Sequence, residues 1–301
     1  MQWLARQVMQ DRYRAVMVIA TTAILAVLLP PVGVLSAAAV ALVVLANGVR
    51  ESLFVVAIAL LAVWGLGEFI LQAGVVVGIS ALVLWLPMIL LGGVQRWSQY
   101  LPWSIEAALL VALVALGLQY VVFDDPVAFW SELLLPVIEE IAKGGAFEAS
   151  GTTTESVVAD IAQALPTMLT VGFFLQLVIA LFIGRWWQSL LYNPGGFRGE
   201  FYSLRLSRIL ALAVIPLMLV GIISSEASML DGVVMLVMTA FAIQGLAVAH
   251  ASLNSINAGG WLIAVYVLLL FAGPWMLMLL GFAGYADVWM DFRQRFLNKQ
   301  D

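Results

Sequence analysis

Residues 52–71 read SLFVVAIALLAVWGLGEFIL, a run of twenty residues in which Glu68 is the only charged side chain. An α-helix rises about 1.5 Å per residue, so a run of this length covers the roughly 30 Å hydrocarbon core of a bilayer. Long stretches with so little charge are typical of transmembrane helices. The run therefore predicts that the chain crosses a membrane.

The composition extends this prediction to most of the chain. Hydrophobic residues make up 64% and charged residues 10% of its 301 residues, with a mean hydropathy of +1.07, whereas a soluble domain carries about 25% charged residues. We expect one membrane domain over residues 1–301, since a water-soluble core cannot accommodate this surplus of apolar side chains. The chain has no cysteine, which excludes disulfides, thiol catalysis and thiolate-bound metals.

Apolar runs bounded by charge, proline or glycine recur along the chain and predict its spans. The first two runs are short, and Pro30-Pro31 between them lacks two backbone donors, so this hairpin either crosses as two spans or is buried among other helices. The predicted fold is all-α, a polytopic transmembrane bundle of eight or nine spans. The nine candidates are 15–29, 32–46, 52–71, 75–91, 104–123, 166–184, 209–223, 232–250 and 261–283.

The basic residues predict the orientation of this bundle, because arginine and lysine accumulate in the cytoplasmic loops of membrane proteins. Alternate loops carry them here, and the intervening loops carry Glu68, the acidic segment 124–165, Glu226 and Asp231. We therefore predict a bacterial cytoplasmic-membrane protein, multi-pass, whose N-terminus is cytoplasmic. The residues assigned to the cytoplasm are Arg6, Arg12, Arg14, Arg50, Arg96, Arg185, Arg198, Arg205 and Arg208.

The C-terminal tail conflicts with that orientation. Nine spans from a cytoplasmic N-terminus place Arg293, Arg295 and Lys299 outside, against the positive-inside rule. Either one of the last spans is miscounted or the tail lies outside. The pair Gly273-Pro274, within the last candidate span, is the most economical place for a break, because proline interrupts helical hydrogen bonding.

Two amphipathic segments lie outside the predicted spans. In 124–165, apolar residues recur at helical spacing in the first half, and Thr152 with Glu155 fits a capping box that opens a second helix toward Pro166. We expect two short helices that lie over the outer face. The tail 285–301 has the pattern of an amphipathic helix at the membrane interface.

Four groups of residues occur in an order that is typical of one family. They are Leu29-Pro30-Pro31 with Gly48-Val49-Arg50; Gly151-Thr152-Thr153-Thr154-Glu155 running to Leu165-Pro166; Phe201, Leu204, Arg205 and Leu206; and Gly284-Tyr285-Ala286-Asp287 with Asp291-Phe292-Arg293. Through these motifs nearly the whole chain resembles the YybS-like family of bacterial membrane proteins, whose function is unknown. That family is in turn similar to the substrate-binding membrane components of energy-coupling-factor vitamin transporters, which share a short first hairpin and glycine-rich helices.

The resemblance implies a pocket open to the outside within the first six spans. It also implies that small residues mark the contact with a coupling partner, although ordinary helix packing is their commoner role. The chain departs from such transport components in its greater length and in the insertion 124–165. The small residues in question are Gly65, Gly67, Gly74, Gly78, and Gly245 with Ala249.

Polar side chains within the spans are the candidate ligand-binding residues, because they are unfavourable in hydrocarbon. Glu68 and Gln72 lie four residues apart on one helix face, near the outer end of a span, where they would either line a pocket mouth or be solvated at the interface. Gln119 and Gln176 lie in later spans, and each would contact a ligand or bond a neighbouring helix.

His250, Asn254 and Asn257 would share one face of the eighth candidate span if its helix continues past Ala251. A single histidine is a proton-responsive group, a ligand contact or a loop residue, and no further metal ligands occur at the spacing that a metal site needs. We predict no metal and no cofactor. No metalloprotease, serine hydrolase or P-loop motif occurs, so we also predict that the chain is not an enzyme.

Charged residues at the membrane edge are candidates for structural or partner contacts. Arg50 adjoins Glu51, and Asp287, Asp291 and Arg293 lie at the end of the last candidate helix. There they would lock the bundle, meet a partner, or anchor an amphipathic helix at the interface.

Two functions remain open from the sequence. One is a transport component that binds a small solute, and the other is a non-catalytic scaffold or assembly factor that acts through the segment 124–165. The expected partners are the lipid bilayer, a small-molecule ligand, and a membrane protein or a second copy of the chain. A nucleic acid is not expected, because no basic patch with interleaved aromatic residues occurs.

Overall fold

Helices account for every regular element in the part of the chain that the structure describes. The computed structural model describes residues 2–143, 153–223 and 229–293, and the predicted all-α fold is confirmed there. The helices are α1 Gln2–Gln10, α2 Arg12–Leu28, α3 Gly33–Asn47, α4 Val49–Leu71, α5 Gly74–Ser98, α6 Leu101–Val122, α7 Pro126–Lys143, α8 Thr154–Tyr192, α9 Gly196–Tyr202, α10 Arg208–Ile223, α11 Met229–Ser255, α12 Leu262–Phe271 and α13 Gly273–Met290, with 3-10 turns at Pro30–Val32 and Gly259–Trp261.

Six helices among the described residues are long and apolar enough to cross a membrane, which indicates a membrane protein. The predicted count of eight or nine spans is not confirmed. Helices α2 and α10 have only 17 and 16 residues, and the predicted span 261–283 is divided between α12 and α13. The six are Pro30–Asn47, Val49–Leu71, Gly74–Ser98, Leu101–Val122, Thr154–Tyr192 and Met229–Ser255.

The second arm of the N-terminal hairpin, α3, is the centre of the bundle. Its residues from Ser36 to Leu45 are all buried, and α2, α4, α5 and α8 pack around it. Gly184 permits the close approach of α8, because a Cβ there would lie 2.7 Å from Ala41 Cβ and 2.9 Å from the Ala38 carbonyl oxygen. Helix α3 is therefore buried among other helices and is also long and apolar enough to cross a membrane, whereas Leu28 at the end of α2 is exposed.

Charge separates the two ends of the bundle. We call one the arginine end: it joins the start of α2, the α3–α4 and α5–α6 turns, the segment from the end of α8 to α10, and the end of α11. Contacts across it link Arg12 to Glu51 and Tyr100 to the Arg205 carbonyl. The opposite, acidic end holds the α2–α3 and α4–α5 turns and α7, and Lys143 is its one basic residue in the described ranges.

In the described part of the insertion 124–165, α7 is one short helix, and the second predicted short helix is instead the start of the long helix α8. Helix α7 packs on α8, and α8 itself begins at Thr154 and runs without interruption to Tyr192. Its N-cap is Thr153, whose hydroxyl accepts a hydrogen bond from the Ser156 N–H at 3.3 Å, whereas Thr152 lies outside the described residues. Pro166 is accommodated inside α8, as prolines are in transmembrane helices whose neighbours satisfy the backbone.

The chain breaks where Gly273-Pro274 predicted it. Helix α12 ends at Phe271 and α13 begins at Gly273, and the ten residues of α12 extend only about 15 Å, half of the hydrocarbon thickness. Helix α13 then packs closely on α11, where Gly245 meets Leu280. Three further residue pairs follow the same order along both helices, so the two run in the same direction there. The pairs are Met238 with Gly281, Phe241 with Gly284, and Gln244 with Asp287.

This return places the end of α13 at the arginine end, where Arg293 donates to the Leu204 carbonyl at 2.9 Å. Arg293 thus lies at the same end as the other arginines, so the predicted conflict between the tail and the positive-inside rule does not arise for this residue. The tail prediction 285–301 is covered by α13 as far as Met290, and residues 294–301, with Arg295 and Lys299, lie outside the described residues.

Replacing Gly284 by alanine is expected to destabilise the bundle, because a Cβ there would lie 2.0 Å from the Phe241 carbonyl oxygen and 2.7 Å from the Gly245 nitrogen. Overpacking of this kind typically costs about 1–3 kcal/mol. The matched control is Gly172→Ala, since nothing lies within 4 Å of a Cβ at that α8 position. Thermal unfolding in detergent should separate the two variants, and equal midpoints would contradict the close α11–α13 contact.

Candidate functional site

Glu68 and Gln72 hold the α4–α5 turn at the acidic end. The Glu68 carboxylate accepts the Gly74 N–H at 3.0 Å, as an acceptor should at a helix N-terminus with unpaired backbone donors. Gln72 ends α4 in the left-handed region, with φ of 52°. Neither residue lines the neighbouring cavity of about 540 Å³, which has Leu71 and Ala73 in its wall. The contacts of this pair are those of a turn between two helices.

The two glutamines of the middle spans contact neighbouring helices. Gln119 Nε2 donates to Thr170 Oγ1 at 2.8 Å and to the Pro166 carbonyl at 3.3 Å, which ties α6 to α8. Gln176 is half-buried against the N-terminal hairpin, where a Cβ on Gly33 would lie 3.7 Å from its Nε2. For both glutamines, the geometry favours contact with a neighbouring helix over contact with a ligand.

A cavity of about 800 Å³ lies beside His250, between α8, α9, α11, α12 and α13. We call it the His250 cavity. Its inner walls are aliphatic, and its outer wall is α12, a helix with no buried residue. The aliphatic wall includes Leu175, Val178, Ile179, Leu246, Leu269 and Leu277.

Aromatic rings close the end of this cavity that adjoins α9. Phe201 lies edge-on to His250, with ring centroids 5.4 Å apart, and Phe182 contacts Phe201 at 5.6 Å. Phe197 packs against both phenylalanines. Offset and edge-to-face ring pairs of this kind add to the stability that burial alone provides, so this wall is built from preformed contacts between α8, α9 and α11.

Polar atoms gather at the same aromatic end. His250 Nε2 and the Tyr266 hydroxyl are 2.8 Å apart, a hydrogen bond that joins α11 to α12. Arg198 lies over the Tyr202 ring, 5.1 Å from its centroid, donates to the Tyr202 hydroxyl at 3.1 Å and donates to Asn254 Oδ1. Helix α11 does continue past Ala251, to Ser255, so His250 and Asn254 both reach this cluster.

Sequence reasoning placed Asn257 on the same face and missed three members of the cluster. Asn257 leaves the face because its φ of 56° turns the chain after α11. Arg198, Tyr202 and Tyr266 join His250 only through the packing of α9 and α12, elements whose positions the sequence pattern does not indicate. An apolar chamber with a few convergent polar groups at one end is typical of sites for small molecules. Among the described residues, no three His, Asp or Glu side chains are grouped as a metal site requires.

Asp287 is the centre of a buried polar network that joins α11, α13 and the segment after α9. Its side chain is completely buried, and its Oδ2 accepts from Gln244 Nε2 at 3.0 Å and from Arg293 Nη2 at 2.6 Å. Arg293 also donates to the carbonyls of Tyr202 and Leu204. Gln244, which the sequence analysis did not single out, accepts the Leu206 N–H at 2.8 Å.

Asp291 and Arg50, the other edge residues, differ from each other in their surroundings. Asp291 pairs with Arg205, and this hydrogen bond raises the pKa of Arg205 above its ordinary value. Arg50 is exposed at the start of α4, and its neighbour Glu51 pairs with Arg12 instead. Of the roles predicted for this group, the geometry of Asp287, Asp291 and Arg293 favours locking of the bundle.

Replacing Asp287 by alanine is expected to lower the free energy of unfolding by about 3–5 kcal/mol, because Arg293 and Gln244 lose their buried partner. The control is Asp124→Ala, which removes an exposed carboxylate at the acidic end. The measurement is the thermal unfolding midpoint of both variants in the same detergent. If the two substitutions had the same effect, Asp287 would not be a structural centre.

Comparison with known proteins identifies no relative of this chain. No protein-family model matches the chain, and neither the curated proteins nor the solved structures yield a significant match.

Proposed function

We propose that the chain is a small-solute-binding component of a membrane transport system and that the His250 cavity is its binding site. The observation that carries this proposal is the cavity itself: about 800 Å³, with aliphatic walls and with Arg198, His250 and Tyr266 among the residues at one end. Small-molecule sites commonly measure about 300–1,000 Å³ and place a few polar groups in an apolar chamber. A solute with an apolar body and a polar end fits a cavity whose walls are aliphatic and whose polar residues lie at one end.

The orientation that we propose puts this site on the cytoplasmic side of a bacterial cytoplasmic membrane. The arginine end would be cytoplasmic by the positive-inside rule, with both the α1 end and the Arg293 end of the chain there. Eight helices would cross, and α12 and α13 would enter and leave from the arginine end. The eight are α2, α3, α4, α5, α6, α8, α10 and α11.

The proposal changes the location of the pocket that the family resemblance implies. The cavity of about 540 Å³ at the acidic end lies among the first spans, but the candidate residues Glu68, Gln72 and Gln119 do not line it and are engaged in a turn and in a helix contact. The His250 cavity lies instead between α8, α9, α11, α12 and α13. Membership of the YybS-like family stays part of this proposal, supported by the ordered motifs of the sequence.

The scaffold alternative has less support from the structure. In α7, Leu133, Val137 and Ile141 are exposed at helical spacing, while Ile138 is buried. An interfacial helix presents such a face to the lipid, so these side chains do not require a protein partner. A cavity of the size of the His250 cavity, in contrast, has no evident use in a scaffold.

Filling the His250 cavity is expected to abolish ligand stabilisation without unfolding the protein. The variant is Leu246→Trp, whose indole would occupy space that the wall residue now borders. In a thermal-shift screen of vitamins and amphipathic metabolites, the unmodified protein should gain about 2.7 kcal/mol from a ligand at 100-fold its Kd, and the variant should gain nothing.

The control is Leu118→Trp, because Leu118 lies in the apolar helix α6 and is 53% exposed. It should keep the full ligand response. Stabilisation of the Leu246→Trp variant equal to that of the control would contradict this site, and a screen in which no solute stabilises the unmodified protein would contradict the proposed function.

A further inference from the structure

A second cavity, polar and separate from the His250 cavity, opens at the arginine end where α3, α5 and α8 finish. It measures about 570 Å³, and Gln95, Arg96, Arg185, Gln188 and Glu200 are among its lining residues. We call it the Arg96 cavity. None of these five residues lines the His250 cavity, so a ligand here would differ from the proposed solute in both place and chemistry.

Arg96 is anchored with part of its guanidinium unused. Its Nη1 donates to the carbonyls of Leu45 and Ala46 at 2.6 and 2.9 Å, in the last turn of α3, where carbonyls lack partners within the helix. The Leu45 carbonyl also accepts from Gln188 Nε2 at 3.2 Å. The two Nη1 bonds fix the Arg96 side chain at the cavity wall. Nε and Nη2 have no acceptor among the described residues, so an edge of the guanidinium is free to bind.

Arg185 provides a second cation, and its guanidinium is also fixed by hydrogen bonds within the protein. Its side chain is 11% exposed, and its Nε and Nη2 donate to the Glu200 carboxylate, with 3.0 Å between Nε and Oε2. Nη1 has no acceptor among the described residues. The two arginines and Glu200 leave one net positive charge on the cavity, a sign that favours an anion.

Gln95 adds a donor that is nearly buried. The residue is 3% exposed, and its Oε1 accepts from Ser104 Oγ at 2.9 Å, which fixes the orientation of the amide. Its Nε2 then has no acceptor within the described ranges, although the residue lines the cavity. This amide N–H therefore faces the cavity and is available to donate to a ligand oxygen.

We infer that the Arg96 cavity binds a phosphate-type oxyanion, carried either by a soluble phosphorylated solute or by a lipid headgroup. Arginine binds phosphate through two parallel N–H donors, and the free edge of Arg96 offers such a pair. Gln95 Nε2 and Arg185 Nη1 would supply further donors. The volume leaves room for a phosphate and the group attached to it.

The first arm of the test uses the purified full chain in an uncharged detergent with radiolabelled pyrophosphate as the probe. Equilibrium dialysis should show one saturable site. Gln95→Glu should weaken binding at least tenfold, because the new carboxylate keeps the Ser104 contact and repels the anion. The charge-matched control is Gln72→Glu at the acidic end, which should bind as the unmodified protein does.

The second arm distinguishes a lipid from a soluble anion. Native mass spectrometry of the chain in nanodiscs of phosphatidylcholine with phosphatidylglycerol should show one retained phosphatidylglycerol if the anion is a headgroup, and Gln95→Glu should lose it. Arg96→Lys keeps a cation near the α3 carbonyls but not the paired donors, so it should remain folded by thermal unfolding and bind more weakly in whichever arm is positive. Arg50→Gln, an exposed arginine outside the cavity, is its control.

Two results would overturn the inference. One is the absence of saturable binding in both arms. The other is an equal loss of binding in a variant and its control. An equal loss in Gln72→Glu and Gln95→Glu would come from net charge, and an equal loss in Arg50→Gln and Arg96→Lys would show that the paired donors of Arg96 are not needed.

Discussion

The carboxylate of Asp287, buried among apolar helices, is the constraint on which the C-terminal half of this bundle depends. A buried charge is tolerated only when partners satisfy it, and here Gln244 and Arg293 do so. Those partners hold α13 against α11 and hold the segment after α9 through its carbonyls. The same contacts thereby position α9, whose Phe201 and Tyr202 close the His250 cavity. The pairing of the buried Asp287 carboxylate thus links the packing of the helices to the shape of the His250 cavity.

The two ends of the bundle differ in chemistry, and the candidate sites follow that difference. At the acidic end, polar side chains such as Glu68 and Gln119 complete turns and helix contacts. At the arginine end, arginines pair with carboxylates and backbone carbonyls, and the two cavities beside His250 and Arg96 lie there. One cavity is largely apolar and the other polar, so the two suit ligands of different chemistry.

Sequence reasoning reached the helical class, the polarity of the two ends and the break at Gly273-Pro274, because each depends on local features: hydropathy, charge and proline. It failed where the structure depends on contacts between residues that are far apart in the sequence. Pro166 suggested a helix boundary, yet Thr170 and Gln119 hydrogen-bond its carbonyl within a continuous α8. His250 and Asn254 were found as polar residues at helical spacing, whereas Arg198 meets them only through the position of α9, which no local pattern encodes.

The direct test of this account is the side of the membrane on which each end of the chain lies. Because the chain has no cysteine, single substitutions at Gln2, Asp124, Asn257 and Lys299 each give one thiol for a membrane-impermeant maleimide. The account predicts labelling of Asp124→Cys in intact cells and of the other three only after permeabilisation. Labelling of Lys299→Cys in intact cells, together with Asp124→Cys, would contradict the return of α13 to the arginine end.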